Sequence, residues 1–119
     1  MEKIIFIVDD NDANLVVIGS ALEDEFRVLT MPSAVKMFSL LEKKTPDLIL
    51  LDIEMPDMTG LEAIVKLKED PKWQNIPVIF ITGRYDDNLK SDPAVAKAAD
   101  IVYKPIDAPV LKTVIKKYI

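Results

Sequence analysis

Three acids, a hydroxyl and an ammonium stand directly after short apolar runs in this sequence. Asp9 and Asp10 follow Ile4–Val8, Asp52 follows Leu48–Leu51, Thr82 follows Val78–Ile81, and Lys104 follows Ile101–Tyr103. Brought together, Asp9, Asp10 and Asp52 would repel one another and raise each other's pKa. A hard divalent cation relieves such a site, and oxygen ligands with retained waters suit Mg²⁺ first and Mn²⁺ second. A cation held there draws in a phosphate donor, neutralises its charge and orients an attacking carboxylate. Asp52 is the natural nucleophile, because an aspartate can form an acyl phosphate. Lys104 can pair with one phosphoryl oxygen, and Thr82 can donate a hydrogen bond to another.

The elements that must position these residues alternate along the chain. Ile4–Val8, Phe26–Met31, Leu48–Leu51, Val78–Ile81 and Ile101–Tyr103 are short and continuously apolar. Runs of this kind suit strands buried on both faces of a parallel sheet. Between them lie stripes at helical spacing: Ala34, Phe38 and Leu41; Leu61, Ile64 and Val65; and Val110, Leu111, Val114, Ile115 and Tyr118. Ser33 is expected to cap the second helix, and Thr59-Gly-Leu-Glu62 reads as a capping box for the third, which Pro71 ends. Asp92-Pro93 reads as the cap and first residue of a short fourth helix. Asp107 caps the last, with Pro109 in its first turn. Asp12 is expected to serve as a cap or turn residue. The sum is an α/β fold, a doubly wound (βα)5 three-layer sandwich with a five-stranded parallel sheet, flavodoxin-like, in one domain over residues 1–119. Ligands of such open sheets bind beyond the carboxyl ends of the strands, where the reactive residues stand.

Each signal has a plainer reading. An acid at a strand end is most often a turn or cap residue. Thr82-Gly83 alone is a turn, and Lys104-Pro105 alone is a surface lysine before a rigid bend. The case for a site is their joint placement at four strand ends. Composition removes competitors. With no His and no Cys among 119 residues, Ser-His-Asp triads, Cys-His pairs and His-ligated metals are excluded. A net charge of −5 disfavours binding of nucleic acid by this domain. The apolar runs are too short to span a membrane, Met1 leads almost directly into the first strand with no room for a signal peptide, and a cytoplasmic location is expected.

The acid pair Asp9-Asp10, the segments Pro46–Gly60 around Asp52 and Ile76–Gly83 around Thr82, and Lys104-Pro105 together resemble the receiver domain of two-component response regulators, over the whole chain. The resemblance implies that Asp52 is the phosphoacceptor, Asp10 a direct metal ligand, and Asp9 an acid holding the metal mainly through water. It makes the backbone carbonyl of Glu54 the third protein ligand. Thr82 is then the hydroxyl that shifts toward the phosphoryl group, and Lys104 the lysine that pairs with it. The Lys104-Pro105 bond is expected to be cis. The phosphoryl group would come from a phosphohistidine on a sensor histidine kinase or phosphotransfer protein. A downstream protein target would read the surface formed by the fourth helix, fifth strand and fifth helix. Such a module is not a multiple-turnover enzyme, although it catalyses its own phosphorylation and dephosphorylation. It stands alone or is excised from a longer regulator or hybrid kinase.

Four features depart from the family pattern. Ile101 occupies a usually aromatic position three before Lys104, and Tyr103, beside the lysine, is expected to point to the opposite face. Gly83 replaces a common Ala. Glu54 and Arg84 could pair across the site mouth and gate water. The stretch from Tyr85 to Lys97 predicts a short, loose fourth helix. Trp73 is expected to cover the core edge, Met55 and Met58 to pack in the loop after the third strand, and Lys116 and Lys117 to form a solvated helix end. Other functions fit less well. A phosphatase of the haloacid-dehalogenase type needs a hydroxyl that Asp10-Asn-Asp12-Ala-Asn14 lacks, and acids after the first strand would repel a flavin phosphate. A receiver-like docking domain that does not cycle phosphate is the remaining alternative.

Overall fold

In the computed structural model, residues 2–84 and 86–119 are described. Among them, β1 (Ile4–Val8), β2 (Arg27–Met31), β3 (Leu48–Asp52), β4 (Val78–Thr82) and β5 (Asp100–Tyr103) form one sheet. Every pairing is parallel and the order is β2-β1-β3-β4-β5. The helices α1 (Asp12–Leu22), α2 (Ala34–Leu41), α3 (Gly60–Glu69), α4 (Asp87–Lys90) and α5 (Ala108–Lys116) cover both faces. The five apolar runs thus become the five strands, and β3 and β4 are buried at every residue.

Strand alternation divides the core in two. Phe6, Ile49, Leu51 and Phe80 pack against Met37 and Leu41 of α2 and Ala63, Ile64 and Leu67 of α3. Ile5, Ile7, Leu50 and Ile81 pack against Leu15, Ile18 and Leu22 of α1 and Leu111 and Ile115 of α5. Each large apolar side chain buried this way stabilises the fold by roughly 1.5–3 kcal/mol. Winding reverses at β1: the chain passes outward to β2, then back across β1 to β3. That reversal opens a crevice between the carboxyl ends of β1 and β3, the general ligand position of open sheets.

Several local expectations hold. The Ser33 hydroxyl accepts from Lys36 N at 3.2 Å, Thr59 and Glu62 close a capping box, and the Asp107 carboxylate accepts from Val110 N at 3.1 Å. The Lys104-Pro105 bond is cis. Trp73 is buried and its ring lies 5.6 Å from that of Phe38.

Others are corrected. Asn11, not Asp12, caps α1: its side chain accepts from Asn14 N at 3.0 Å, and Asp12 is the first helical residue. The fourth helix begins before Asp92. Asp86 caps it by accepting from Leu89 N at 2.8 Å, and Leu89 is its buried anchor. Asp92 instead accepts from Ala94 N at 2.9 Å, ahead of a 3-10 turn at Val95–Lys97. Two aspartates compete here for one role, and burial of Leu89 favours the earlier one. The fourth helix is indeed short; Tyr85, at the head of the expected loose stretch, lies outside the described residues. In α5, Leu111 and Ile115 are buried and Val110 is exposed, while Tyr118 lies past the helix end and is also exposed. In α2, Met37 is fully buried and Phe38 only partly. Tyr103 shares the face of Ile101, because residues two apart in a strand point the same way. Ile101 pairs with Phe80 and Tyr103 with Thr82, while Val102 alone joins the opposite core.

Candidate functional site

β1 delivers Asp9 and Asp10 to the crevice, and β3 ends at Asp52 beside them. Each of the three carboxylates can offer an oxygen within 4.8 Å of the others. Asp9 and Asp52 are buried at 2% and 4% exposure, and Asp10 is exposed. They line an open cleft of about 300 Å³ with Asn11, Asn14, Glu54, Gly83, Arg84 and Lys104.

Lys104 crosses to this cluster from the end of β5. Its Nζ donates to Asp9 Oδ2 at 3.0 Å and to Asp52 Oδ1 at 3.4 Å. Burial, followed by the charge of Asp9, pushes the Asp52 carboxyl up to about 6, against the pull of Lys104. For Lys104, burial is the largest influence and disfavours the ammonium. The hydrogen bond to Asp9 and the charges of Asp52 and Asp9 outweigh it and hold the pKa above the usual lysine value. The site is therefore a set of acids short of positive charge, with hard oxygen donors open to solvent. That donor set fits a divalent cation such as Mg²⁺.

Asp9 is also fastened to the start of α1. Asn11 N donates to its Oδ1 at 2.9 Å and Asn14 Nδ2 to its Oδ2 at 3.2 Å. Neither asparagine stands out in the sequence; Asn14 reaches the site only because α1 starts where it does. The third strand end is held from behind. Gly60 N donates to Ile53 O at 2.8 Å, and a Cβ on Gly60 would collide with the Asp52 carbonyl.

Thr82 is fully buried at the end of β4, and its hydroxyl oxygen accepts from Arg84 N at 3.0 Å. Of the expected residues it alone does not line the cleft. Glu54 and Arg84 do pair across the mouth, Nη1 to Oε1 at 3.0 Å. The sequence does not signal the rest of this bridge: Arg84 Nε and Nη2 donate to the two oxygens of Asp86, each at 3.0 Å. The fork holds the Asp86 carboxyl below the usual carboxylate range.

Residues 5–116 match the family described as response regulator receiver domain. A probable cyclic di-GMP phosphodiesterase of Vibrio cholerae serotype O1 is 36% identical over 109 residues, which span 92% of this chain but only 25% of that longer protein. The polar-differentiation response regulator DivK of Brucella ovis is 30% identical and is covered almost throughout, at 100% of this chain and 98% of that one. The solved structure of the response regulator protein TrrA from Thermotoga maritima, in complex with Mg²⁺-BeF, is similar with a TM-score of 0.88. Its identity is 26%, over 98% of this chain and 99% of that one.

Proposed function

This chain belongs to the response regulator receiver domain family, and from that premise we propose that Asp52 is its phosphoacceptor. A receiver domain is a phosphorelay switch. The observation that carries the assignment to Asp52 is the convergence of Asp9, Asp10 and Asp52 with the Lys104 ammonium against two of them. Asp10, Asp52, the Glu54 carbonyl and, mainly through water, Asp9 would hold Mg²⁺, or Mn²⁺ in its place. When bound, that cation supplies charge neutralisation for an incoming phosphate.

The chain's own residues do the rest. A carboxylate oxygen of Asp52 attacks the phosphorus of a phosphohistidine on a sensor histidine kinase or phosphotransfer protein. The P–O bond forms, the P–N bond breaks, and its electron pair leaves with the imidazole. Lys104 pairs with a phosphoryl oxygen, and the Thr82 hydroxyl donates to another. In the reverse limb water attacks the phosphorus, inorganic phosphate leaves and the Asp52 carboxylate returns. The domain thereby catalyses its own phosphorylation and dephosphorylation and no reaction on an external substrate. Its output passes through the surface of α4, β5 and α5 to a protein target. No described helix is long and apolar enough to cross a membrane, which suits a domain that meets its kinase in the cytoplasm.

Incubation with Mg²⁺ and a small acyl-phosphate donor, followed by intact mass, tests the reading. The wild type is expected to gain one phosphoryl group, and Asp52→Asn or a chelator to abolish the gain. A gain that survives in Asp52→Asn would move the acceptor elsewhere. No gain in the wild type would favour a docking domain that does not cycle phosphate.

A further inference from the structure

We propose that Asn14 is a positioning residue that keeps Asp9 paired while Lys104 turns toward the phosphoryl group. The proposal rests on the reading of Asp52 as phosphoacceptor. Asp9 is almost fully buried, and three donors among the described residues reach its carboxylate. Asn11 N serves Oδ1 at 2.9 Å, whereas Oδ2 is shared by Lys104 Nζ at 3.0 Å and Asn14 Nδ2 at 3.2 Å. Two donors match the two lone pairs of that oxygen.

The two donors differ in what they can do next. Lys104 also reaches Asp52 Oδ1, at the longer distance of 3.4 Å. Phosphorylation adds negative charge on the Asp52 side and draws the ammonium there. Were Lys104 the sole protein donor to Asp9 Oδ2, that turn would leave a buried carboxylate oxygen without one, a loss that would hold the lysine back. Asn14 removes this obstacle because it does not travel. It belongs to the first turn of α1, where its backbone N–H is capped by Asn11 at 3.0 Å. Its carboxamide is also neutral, so it orients Asp9 without cancelling the negative charge that attracts a divalent cation. A lysine or arginine at this position would supply the hydrogen bond and compete with the cation.

The test compares wild type, Asn14→Ala and Asn14→Gln, with Mg²⁺ and a small acyl-phosphate donor, by intact mass against time. Mg²⁺ binding by calorimetry and the melting midpoint are read on the same preparations. Asn14→Ala is expected to lower the phosphorylation rate at saturating donor and Mg²⁺ by about tenfold, the scale of losing an outer hydrogen bond to a ligand carboxylate. Its melting midpoint should stay near that of wild type, and Asn14→Gln, which restores a neutral amide donor, should recover part of the rate. In a Lys104→Met background, Asn14→Ala should reduce the residual rate much less, since no lysine then needs to leave Asp9. An equal reduction in both backgrounds would show a merely structural role and overturn the proposal. So would a wild-type rate in Asn14→Ala. A wild type that gains no phosphoryl group removes the reading of Asp52 and this proposal with it.

Discussion

Two neighbouring strands carry the ends of the site, yet the chain leaves them in opposite ways. After Asp52, the path from β3 to α3 is tightly bonded and anchored in the core. Ile53 and Met55 are in the core, Asp57 takes a positive φ of 67°, and Gly60 lies against the Asp52 backbone below a capping box. After Thr82, the described residues ahead of α4, Gly83, Arg84 and Asp86, are exposed or half-buried. Gly83 is exposed, a Cβ added there would meet nothing within 4 Å, and Arg84 forms ion pairs whose acid partners are largely solvated. A nucleophile needs a fixed backbone, because small displacements cost much of its reactivity. A segment that must respond to a new charge is better held by groups which charge can redistribute. Asp52, the proposed phosphoacceptor, stands on packed backbone, whereas Arg84, two residues after Thr82, is held by ion pairs.

Gly60→Ala should break the buried side most severely. The added methyl meets backbone atoms of Asp52 and Ile53, which cannot rotate away. A loss of about 3 kcal/mol in a denaturant titration is expected, with impaired phosphoryl gain. A variant of wild-type stability and activity would show that the β3 end is as compliant as the β4 end.

Protonation sharpens the same point at Asp52. Burial and Asp9 raise its carboxyl from 3.8 to about 6, so the native state keeps this proton longer than the unfolded chain. Its stabilising contribution in metal-free protein is complete below about pH 4 and lost as pH rises through about 6, a change of roughly 3 kcal/mol. Asp52→Asn should remove that part of the pH dependence and be the more stable protein at pH 7. Chemical denaturation of both across pH 4 to 7, in chelator, checks this.

Arg84→Ala probes the open side. Exposed pairs contribute little to global stability and are screened by salt. The midpoint should therefore barely move, while amide exchange in α4 speeds up, since Asp86 loses the fork beside its capping oxygen. The lifetime of the phosphoryl group should change several-fold as the mouth opens to water. If Arg84→Ala leaves dephosphorylation unchanged, the bridge is no gate. The smallest effect is expected at Gly83→Ala, where no atom obstructs the methyl and φ is not positive. A gain of about 0.4–1 kcal/mol from reduced freedom of the unfolded chain is expected, against the large loss at Gly60.

What the sequence determined by itself was the set of elements and their chemical ends. Continuous apolar runs specify strands buried on both faces, and local caps such as Ser33, Thr59 and Asp107 act within a few residues of themselves, so both are legible without a fold. The acids, Thr82 and Lys104 were legible for the same reason, as residues placed at strand ends. Tertiary structure decided what depends on distance through space. It chose Asp86 over Asp92 as the α4 cap, because only the earlier start buries Leu89. It turned Asn14 toward Asp9, extended the Glu54–Arg84 bridge to Asp86, and set Tyr103 beside Thr82. The Asn14–Asp9, Glu54–Arg84 and Thr82–Tyr103 contacts join residues on different elements, where helix phase and strand register, rather than local preference, select the partner.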